Sequence, residues 1–116
     1  ERARMDYRTA KAELERMERG LADTRRNLAL IEHALRKRAE VTTMRVRPKQ
    51  RQYGRHAVTW TGADEREYRR ILGELMDRAA AEIDRLRRRT ERQEAAIMSL
   101  RSKYGVNAER PNLRDW

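Results

Sequence analysis

The chain has 116 residues, of which 41% are charged, with a net charge of +10 and a mean hydropathy of −1.13. This composition excludes a thick hydrophobic core and leaves either disorder or a thin, repetitive core. The absence of cysteine excludes disulfides, thiolate nucleophiles and cysteine-based zinc sites, and leaves the redox compartment open. The longest apolar run, Leu28 to Ile31, is far too short to cross a bilayer.

A repeat of apolar residues with alternating gaps of three and four runs from Ala3 to about Glu40. This spacing is typical of a coiled-coil helix and argues against disorder. The repeating positions are Tyr7, Ala10, Leu14, Met17, Leu21, Thr24, Leu28, Ile31 and Leu35. The pattern predicts a first helical arm over residues 1–40. Because this pattern is already under way near Glu1, and the chain has no initiator methionine, we expect it to be part of a longer protein.

A second helical arm is predicted over residues 64–104. Asp64 is the predicted N-cap, with Glu67 at the third helical position, and Thr61 is the alternative cap. The apolar and polar residues of its repeat are Leu72, Met76, Ala79, Ile83, Leu86, Thr90, Gln93, Ile97, Leu100 and Tyr104. The two arms match in length, so each is predicted to pack against the other in an antiparallel hairpin.

The second arm has a further apolar row near its start, formed by Tyr68, Ile71 and Leu75. A second row requires a second neighbour, which would be either the segment between the arms or another copy of the chain. A homo-oligomer or a larger assembly is therefore an open alternative to a monomer. Gly105 is predicted to end the second arm, and residues 105–116 are predicted to form an extended tail.

The segment over residues 41–63 separates the two arms. Its β-branched, alternating stretches at 41–47 and 55–61, with Pro48 and Gly54 between them, favour a small β-hairpin. A disordered loop is the alternative. The predicted fold class is therefore dominated by α-helix: a long antiparallel helical hairpin, or coiled coil, with a small basic β-hairpin or loop insert between its arms.

Positive charge is concentrated in this insert. Residues 1–40 carry 11 basic and 8 acidic side chains, residues 64–116 carry 13 and 11, and residues 41–63 carry 5 and none. Such a concentration of one charge raises the local affinity for anions, and nucleic acid is the commonest polyanion. The sequence therefore indicates a nucleic-acid partner, either DNA or RNA, and no small-molecule substrate.

The predicted nucleic-acid-binding residues are the basic and aromatic side chains of the insert. Basic side chains would neutralise phosphates, which makes binding strongly dependent on salt, and aromatic rings would stack on bases. These residues are Arg45, Arg47, Lys49, Arg51, Arg55, Tyr53 and Trp60. The alternative is that the arginines form the solvated face of the hairpin while Tyr53 and Trp60 anchor it to the arms.

A second basic cluster lies midway along the second arm, at Arg85, Arg87, Arg88, Arg89 and Arg92. It is better explained as a solvated helix face. We expect Asp84 and acidic residues of the first arm, namely Glu13, Glu15 and Glu18, to lie near it.

The sequence offers little catalytic chemistry. It has two histidines, His33 and His56, and they form no convincing triad with Ser99 or Ser102. Asp64, Glu65 and Glu67 resemble a metal cluster, but acidic residues are favoured at any helix start. We therefore predict a protein that is not an enzyme, with no catalytic residue, metal or cofactor.

The sequence resembles two known families, one in the order of its elements and the other in a tripeptide. The order helix, insert, helix is similar to that of prefoldin subunits, although the basic insert departs from that family, and no membership is inferred. Trp60, Thr61 and Gly62 match the W-x-G tripeptide between the helices of small secreted W-x-G hairpins. The 23-residue insert and the missing carboxylate four residues after Tyr104 depart from that pattern, so it remains an alternative.

The predicted function is non-enzymatic nucleic-acid binding, in which coiled-coil arms support a basic tip that contacts phosphates. The alternative is a structural or assembly protein of a phage particle or other large complex, in which the tip docks on an acidic protein surface. These two hypotheses would place the chain in the cytoplasm or within a virion or other assembly.

Overall fold

The computed structural model describes residues 6–48 and 60–105, and these residues are almost entirely helical. Helix α1 spans Tyr7–Val46, α2 spans Gly62–Arg78 and α3 spans Ala80–Tyr104. No strand occurs within the described ranges. The prediction of a fold dominated by α-helix is confirmed.

The prediction of a strand beginning at residue 41 is wrong, because α1 continues to Val46. Thr43 is buried, and its Oγ1 donates a hydrogen bond of 2.7 Å to the carbonyl oxygen of Ala39, which is buried as well. These two residues are one helical turn apart and extend the buried stripe of α1 beyond Leu35. Packing of this stripe outweighs the preference of β-branched residues for strands, which costs a helix only tenths of a kcal/mol per residue. The other predicted strand, over 55–61, lies mostly outside the described residues.

Helix α2 begins with a capping box at Thr61, so the alternative cap was the correct one. Thr61 has extended backbone angles, and its Oγ1 accepts a hydrogen bond of 3.2 Å from the amide of Asp64. In return, the Asp64 carboxylate accepts a hydrogen bond of 2.8 Å from the amide of Thr61. Asp64 is therefore the third helical residue, three positions after the residue that caps the helix.

The described residues fall into two compact units. The first unit comprises residues up to Leu28 together with those from Arg85 onward, and the second unit comprises Ala29–Asp84. Helix α1 contributes to both, α2 belongs to the second, and α3 contributes to both.

The first unit has an apolar core between α1 and α3. Its buried residues are Ala10, Leu14, Leu21 and Ile97, with Met17, Leu100 and Tyr104 packed around them. Glu18 pairs with Arg101, and Arg25 pairs with Glu94. From the first pair to the second, the residue on α1 lies seven positions later in the chain and the residue on α3 lies seven positions earlier. The two helices therefore run antiparallel with a heptad spacing in this unit.

The second unit has a smaller core between α1 and α2. Ala39, Ile71 and Leu75 are buried, with Leu35, Tyr68 and Leu72 against them. Ile71 and Leu75 belong to the row that was predicted to face a second neighbour. They face α1 instead, while Leu72 is only half-buried.

The ends of α2 and α3 are defined by local hydrogen bonds. Ala79 separates the two helices, yet its amide still donates to the carbonyl oxygen of Leu75, and the amide of Ile83 donates to that of Ala79. Gly105 adopts a φ of 63°, and its amide donates to the carbonyl oxygen of Arg101. Helix α3 thus stops before Gly105, and the prediction that Gly105 ends the second arm is confirmed. Glycine is favoured at this position because its backbone is left-handed.

Candidate nucleic-acid interface

A buried carboxylate links the end of α1 to the start of α2. Asp64 is 1% exposed, and its Oδ1 accepts a hydrogen bond of 2.7 Å from Nε of Arg47. Its Oδ2 accepts hydrogen bonds from the amide of Thr61, at 2.8 Å, and from the Thr61 hydroxyl, at 2.9 Å. Both oxygens are therefore engaged, and the buried charge faces an arginine. We call these three residues the Asp64 clamp.

Helix ends explain why these residue types occur here. The N-terminus of α2 carries a partial positive charge, which favours the Asp64 carboxylate in its first turn. Arg47 directly follows α1, where the partial negative charge of the helix end favours a cation. The helix ends therefore favour a carboxylate at Asp64 and a guanidinium at Arg47 independently of the ion pair between them.

The Asp64 clamp brings the two sides of the interval 49–59 together. Val46, Arg47 and Pro48 on one side line a shallow pocket of about 280 Å³ with Thr61 and Asp64 on the other. The chain leaves this pocket at Pro48 and lines it again at Thr61. The two ends of the interval are therefore held at one place on the second unit.

Trp60 lies beside the Asp64 clamp in a mixed aromatic and acidic environment. Its indole Nε1 donates a hydrogen bond of 2.9 Å to Oε2 of Glu65. Its ring meets that of Tyr68 edge to face, with 6.2 Å between ring centroids and 75° between planes. This hydrogen bond, followed by one from Arg69, lowers the pKa of the Glu65 carboxyl below its ordinary value. Trp60 remains 39% exposed, so part of its ring is open to a partner.

A shallow groove of about 270 Å³ is lined by Trp60, Tyr68, Glu40 and Glu65. Two carboxylates beside two aromatic rings suit a cationic group, because the ring faces and the carboxylates both attract positive charge. The same carboxylates repel phosphate. This side of Trp60 is therefore better suited to a lysine or arginine of a protein partner than to a nucleic-acid backbone.

The structure covers three of the seven residues predicted to bind nucleic acid. Arg45 is exposed in the last turn of α1. Arg47 is tied to Asp64, and Trp60 to Glu65 and Tyr68. The structure therefore brings Arg47 and Trp60 to the start of α2. The other four lie outside the described residues, namely Lys49, Arg51, Tyr53 and Arg55.

Two partners of this site were missed by the sequence analysis. Asp64 was predicted only as a cap, and its pairing with Arg47 has no signal in a single sequence because 17 positions separate them. Tyr68 was assigned to an apolar row alone. Its position eight residues after Trp60, on the first turns of a helix that starts beside Trp60, was the available signal.

Two arginines of α2, Arg69 and Arg70, pair with glutamates of the same helix. Arg69 pairs with Glu65, and Arg70 pairs with both Glu67 and Glu74. Hydrogen bonding to Arg70 lowers the pKa of Glu67, and Glu67 in turn raises the pKa of Arg70. Within the described part of the second unit, the basic residues of α1 make no such ion pairs. These exposed residues are Arg36, Lys37, Arg38 and Arg45.

The second basic cluster of the sequence lies on α3 near its start. Arg88, Arg89 and Arg92 are exposed there. The acidic residues expected beside the cluster have other partners, since Glu18 pairs with Arg101 and Glu13 with Arg16. Arg101 lies nine positions beyond Arg92, so the expectation for Glu18 was wrong.

Of the helices described, none is both long and apolar enough to span a membrane. Over residues 6–48 and 60–105, histidine, aspartate and glutamate side chains form no group of three suited to a metal ion. No family model, no curated protein and no solved structure matches the chain.

Proposed function

We propose that this chain is a non-enzymatic nucleic-acid-binding protein whose helices present the acid-free segment 41–63 to phosphates. The observation that supports this is the Asp64 clamp. It attaches both sides of a segment with five basic and no acidic side chains to one place on the second unit. A segment attached at both ends neutralises phosphates at a lower entropic cost than the same residues on a free tail.

Chain length limits how far the basic residues lie from the clamp. Lys49 directly follows Pro48, and Arg55 is five positions before Trp60. At no more than about 3.5 Å per residue, each stays within roughly 20 Å of the clamp. Arg36, Lys37, Arg38 and Arg45 on α1 add exposed positive charge on the same unit. The proposed binding surface is therefore the segment together with the exposed cations of α1.

Arg47 has a structural part in this proposal rather than a direct one. Its Nε is directed at a buried carboxylate, so at least one of its donors is not available to phosphate. We assign the phosphate contacts to Arg45, Lys49, Arg51 and Arg55. Tyr53 and Trp60 are proposed to stack on exposed bases, with Trp60 using the part of its ring that faces away from Glu65.

The test is a pair of matched neutral variants. The triple variant Lys49→Gln, Arg51→Gln, Arg55→Gln removes three charges from the segment, and Arg88→Gln, Arg89→Gln, Arg92→Gln removes three exposed charges from α3. Affinity for duplex DNA, single-stranded DNA and RNA is measured by fluorescence anisotropy over a salt series. We expect the segment variant to lose at least about tenfold in affinity. It should also lose up to about three units of salt slope, since each phosphate contact contributes about 0.9.

The control variant should keep an affinity within about threefold of the parent, since its charges lie outside the proposed surface. Equal losses in both variants would show that binding depends on total charge alone and would contradict the proposal. A parent protein that binds none of the three nucleic acids at low salt would contradict it as well.

An assembly function is the second candidate, and Trp60 supports it. A half-exposed tryptophan beside two carboxylates is suited to a protein surface bearing a basic residue, because tryptophan is enriched at interface centres. The acid-free segment would then dock on an acidic protein surface of a phage particle or other large complex. This candidate predicts a fixed stoichiometry with a protein partner and no effect of added nucleic acid.

A further inference from the structure

Helix α1 carries a second apolar stripe within the second unit. Leu30, Val41 and Met44 are 59%, 40% and 58% exposed, and Ala34 is exposed as well. Together with Lys37, these residues are separated by alternating gaps of four and three. This is the heptad spacing of a coiled-coil contact, and we call these five residues the outer stripe.

The outer stripe faces away from α2. Val41 is two positions from Ala39 and two from Thr43, both of which are buried. At about 100° per residue, two positions place a side chain roughly 200° around the helix. The contact between α1 and α2 therefore leaves the outer stripe uncovered.

We propose that the outer stripe is a self-association site that pairs with the same stripe of a second copy of this chain, with the two α1 helices parallel. In heptad terms Ala34 and Val41 occupy a positions, while Leu30, Lys37 and Met44 occupy d positions. Glu40 is then a g position, and Arg45 is the e position five residues later. In a parallel pair, the Glu40 carboxylate of each copy meets the Arg45 guanidinium of the other. An antiparallel pair would bring e positions together, and both Arg38 and Arg45 are basic.

The composition of the stripe predicts a weak and selective association. Lys37 places a charge at a core position, which fixes register at a cost in stability, and its long stem carries the ammonium to the edge. Basic residues outnumber acidic ones along α1 from Ala29 to Val46, so the two copies repel. Added salt screens this repulsion and should strengthen self-association. The inference does not depend on nucleic-acid binding, which salt should weaken.

The first experiment compares two identical substitutions at exposed methionines. Met44→Glu places a charge in the outer stripe, whereas Met98→Glu does so on α3, where Met98 is 70% exposed. The mass of the full chain is measured by analytical ultracentrifugation over a range of concentrations and salt. We expect the parent and Met98→Glu to associate alike and Met44→Glu to associate at least about tenfold more weakly, since burying a charge in place of Met is unfavourable. Equal behaviour of the two variants would overturn the proposal.

A gain of association is expected when the charge is removed from the core position. Lys37→Leu should strengthen association by about tenfold or more, as expected from burying one Leu side chain in each copy. Circular dichroism at the same concentrations shows whether each variant keeps its helix content. A parent and a Lys37→Leu variant that both remain monomeric at high concentration would overturn the proposal.

The parallel orientation is tested by exchanging charges. Glu40→Arg or Arg45→Glu alone sets like charges against each other, and each should weaken association by a few-fold. The double variant Glu40→Arg, Arg45→Glu restores opposite charges between the copies and should return association to the parent level. Failure of this rescue would exclude the parallel pair.

Discussion

The first unit joins α1 to α3 by large apolar residues, including the fully buried Leu14, and by two ion pairs between the helices. The second unit joins α1 to α2 by a smaller apolar core and by the buried polar residues Thr43 and Asp64. Both use antiparallel contacts between amphipathic helices. We expect buried apolar volume to limit the stability of the first unit and polar contacts at the helix ends to limit that of the second.

This difference follows from where each unit lies along the helices. In the first unit, the start of α1 and the end of α3 are satisfied by local hydrogen bonds, from the Thr9 amide to Oδ1 of Asp6 and from the Gly105 amide to the Arg101 carbonyl oxygen. In the second unit one helix ends and another begins, leaving unpaired amide and carbonyl groups that require a cap. The capping box satisfies amides at the start of α2, and the Arg47 side chain, directly after α1, pairs with the carboxylate of that box.

Leu14→Ala should have the largest effect, because it removes buried volume from the unit that depends on it. We expect the free energy of unfolding to fall by about 2–4 kcal/mol, measured by urea denaturation followed by circular dichroism. Met98→Ala on α3, which removes an exposed side chain, should change it by less than about 0.5 kcal/mol. Similar effects of the two substitutions would remove the distinction between a core and a solvated face in the first unit.

Asp64→Ala is the corresponding test of the second unit. It removes the third-position side chain of the capping box and leaves Arg47 without its carboxylate, and we expect a loss of about 2–3 kcal/mol. The matched control is Asp77→Ala, an exposed aspartate of the same helix. If both substitutions cost the same, polar contacts at the helix ends do not limit the stability of the second unit.

Replacing glycines inside the helices by alanine should raise the free energy of unfolding, whereas the substitutions above lower it. A Cβ at Gly73 would meet nothing within 4 Å, and one at Gly20 would lie 3.6 Å from Nε2 of Gln93. Gly73→Ala should therefore stabilise the chain by about 0.5–1 kcal/mol through helix propensity. Gly20→Ala should stabilise it by a similar or slightly smaller amount, because 3.6 Å is an ordinary contact. A destabilising Gly20→Ala would show that the helices of the first unit are packed more tightly around this position.

The smallest expected effect concerns pH. The pKa of Glu65 is lowered in the folded chain by hydrogen bonds from Trp60 and Arg69, so its contribution to stability is present above its ordinary pKa of 4.5. That contribution is lost as pH falls below 4.5 and through the lower folded pKa. Glu65→Gln should therefore make the free energy of unfolding less steep in this range, measured by urea denaturation at several pH values. An unchanged slope in Glu65→Gln would contradict this prediction.

Much of the helical structure was predictable because it depends on local spacing. The three–four repeat predicted buried positions such as Leu14 and Ile97, and Gly105 predicted the end of α3. The end of α1 was not predicted, since Val41, Thr42 and Val46 favour a strand when considered alone. Ala39 and Thr43, spaced four apart, were the signal that the buried stripe continues.

The site was less predictable because its contacts join positions that are distant in sequence. Local charge identified Arg45, Arg47 and Trp60 as members of a basic segment. It did not show that Arg47 faces a buried carboxylate, or that Trp60 is held by Glu65 and Tyr68. The choice between Thr61 and Asp64 as the cap also depended on backbone geometry, since Thr61 has extended backbone angles and Asp64 lies within α2.

The Asp64 clamp has a consequence for how this chain could be altered by evolution or by design. Since the helix ends are capped by residues that flank the interval 49–59, exchanging the interval for another sequence leaves those caps intact. The entropic cost of a longer connection is small, at about 0.6 kcal/mol for each doubling of its length. The ends of α1 and α2 therefore form a scaffold that can accept recognition segments of different length and chemistry. Arg47 and Asp64 would remain unchanged on either side of the inserted segment.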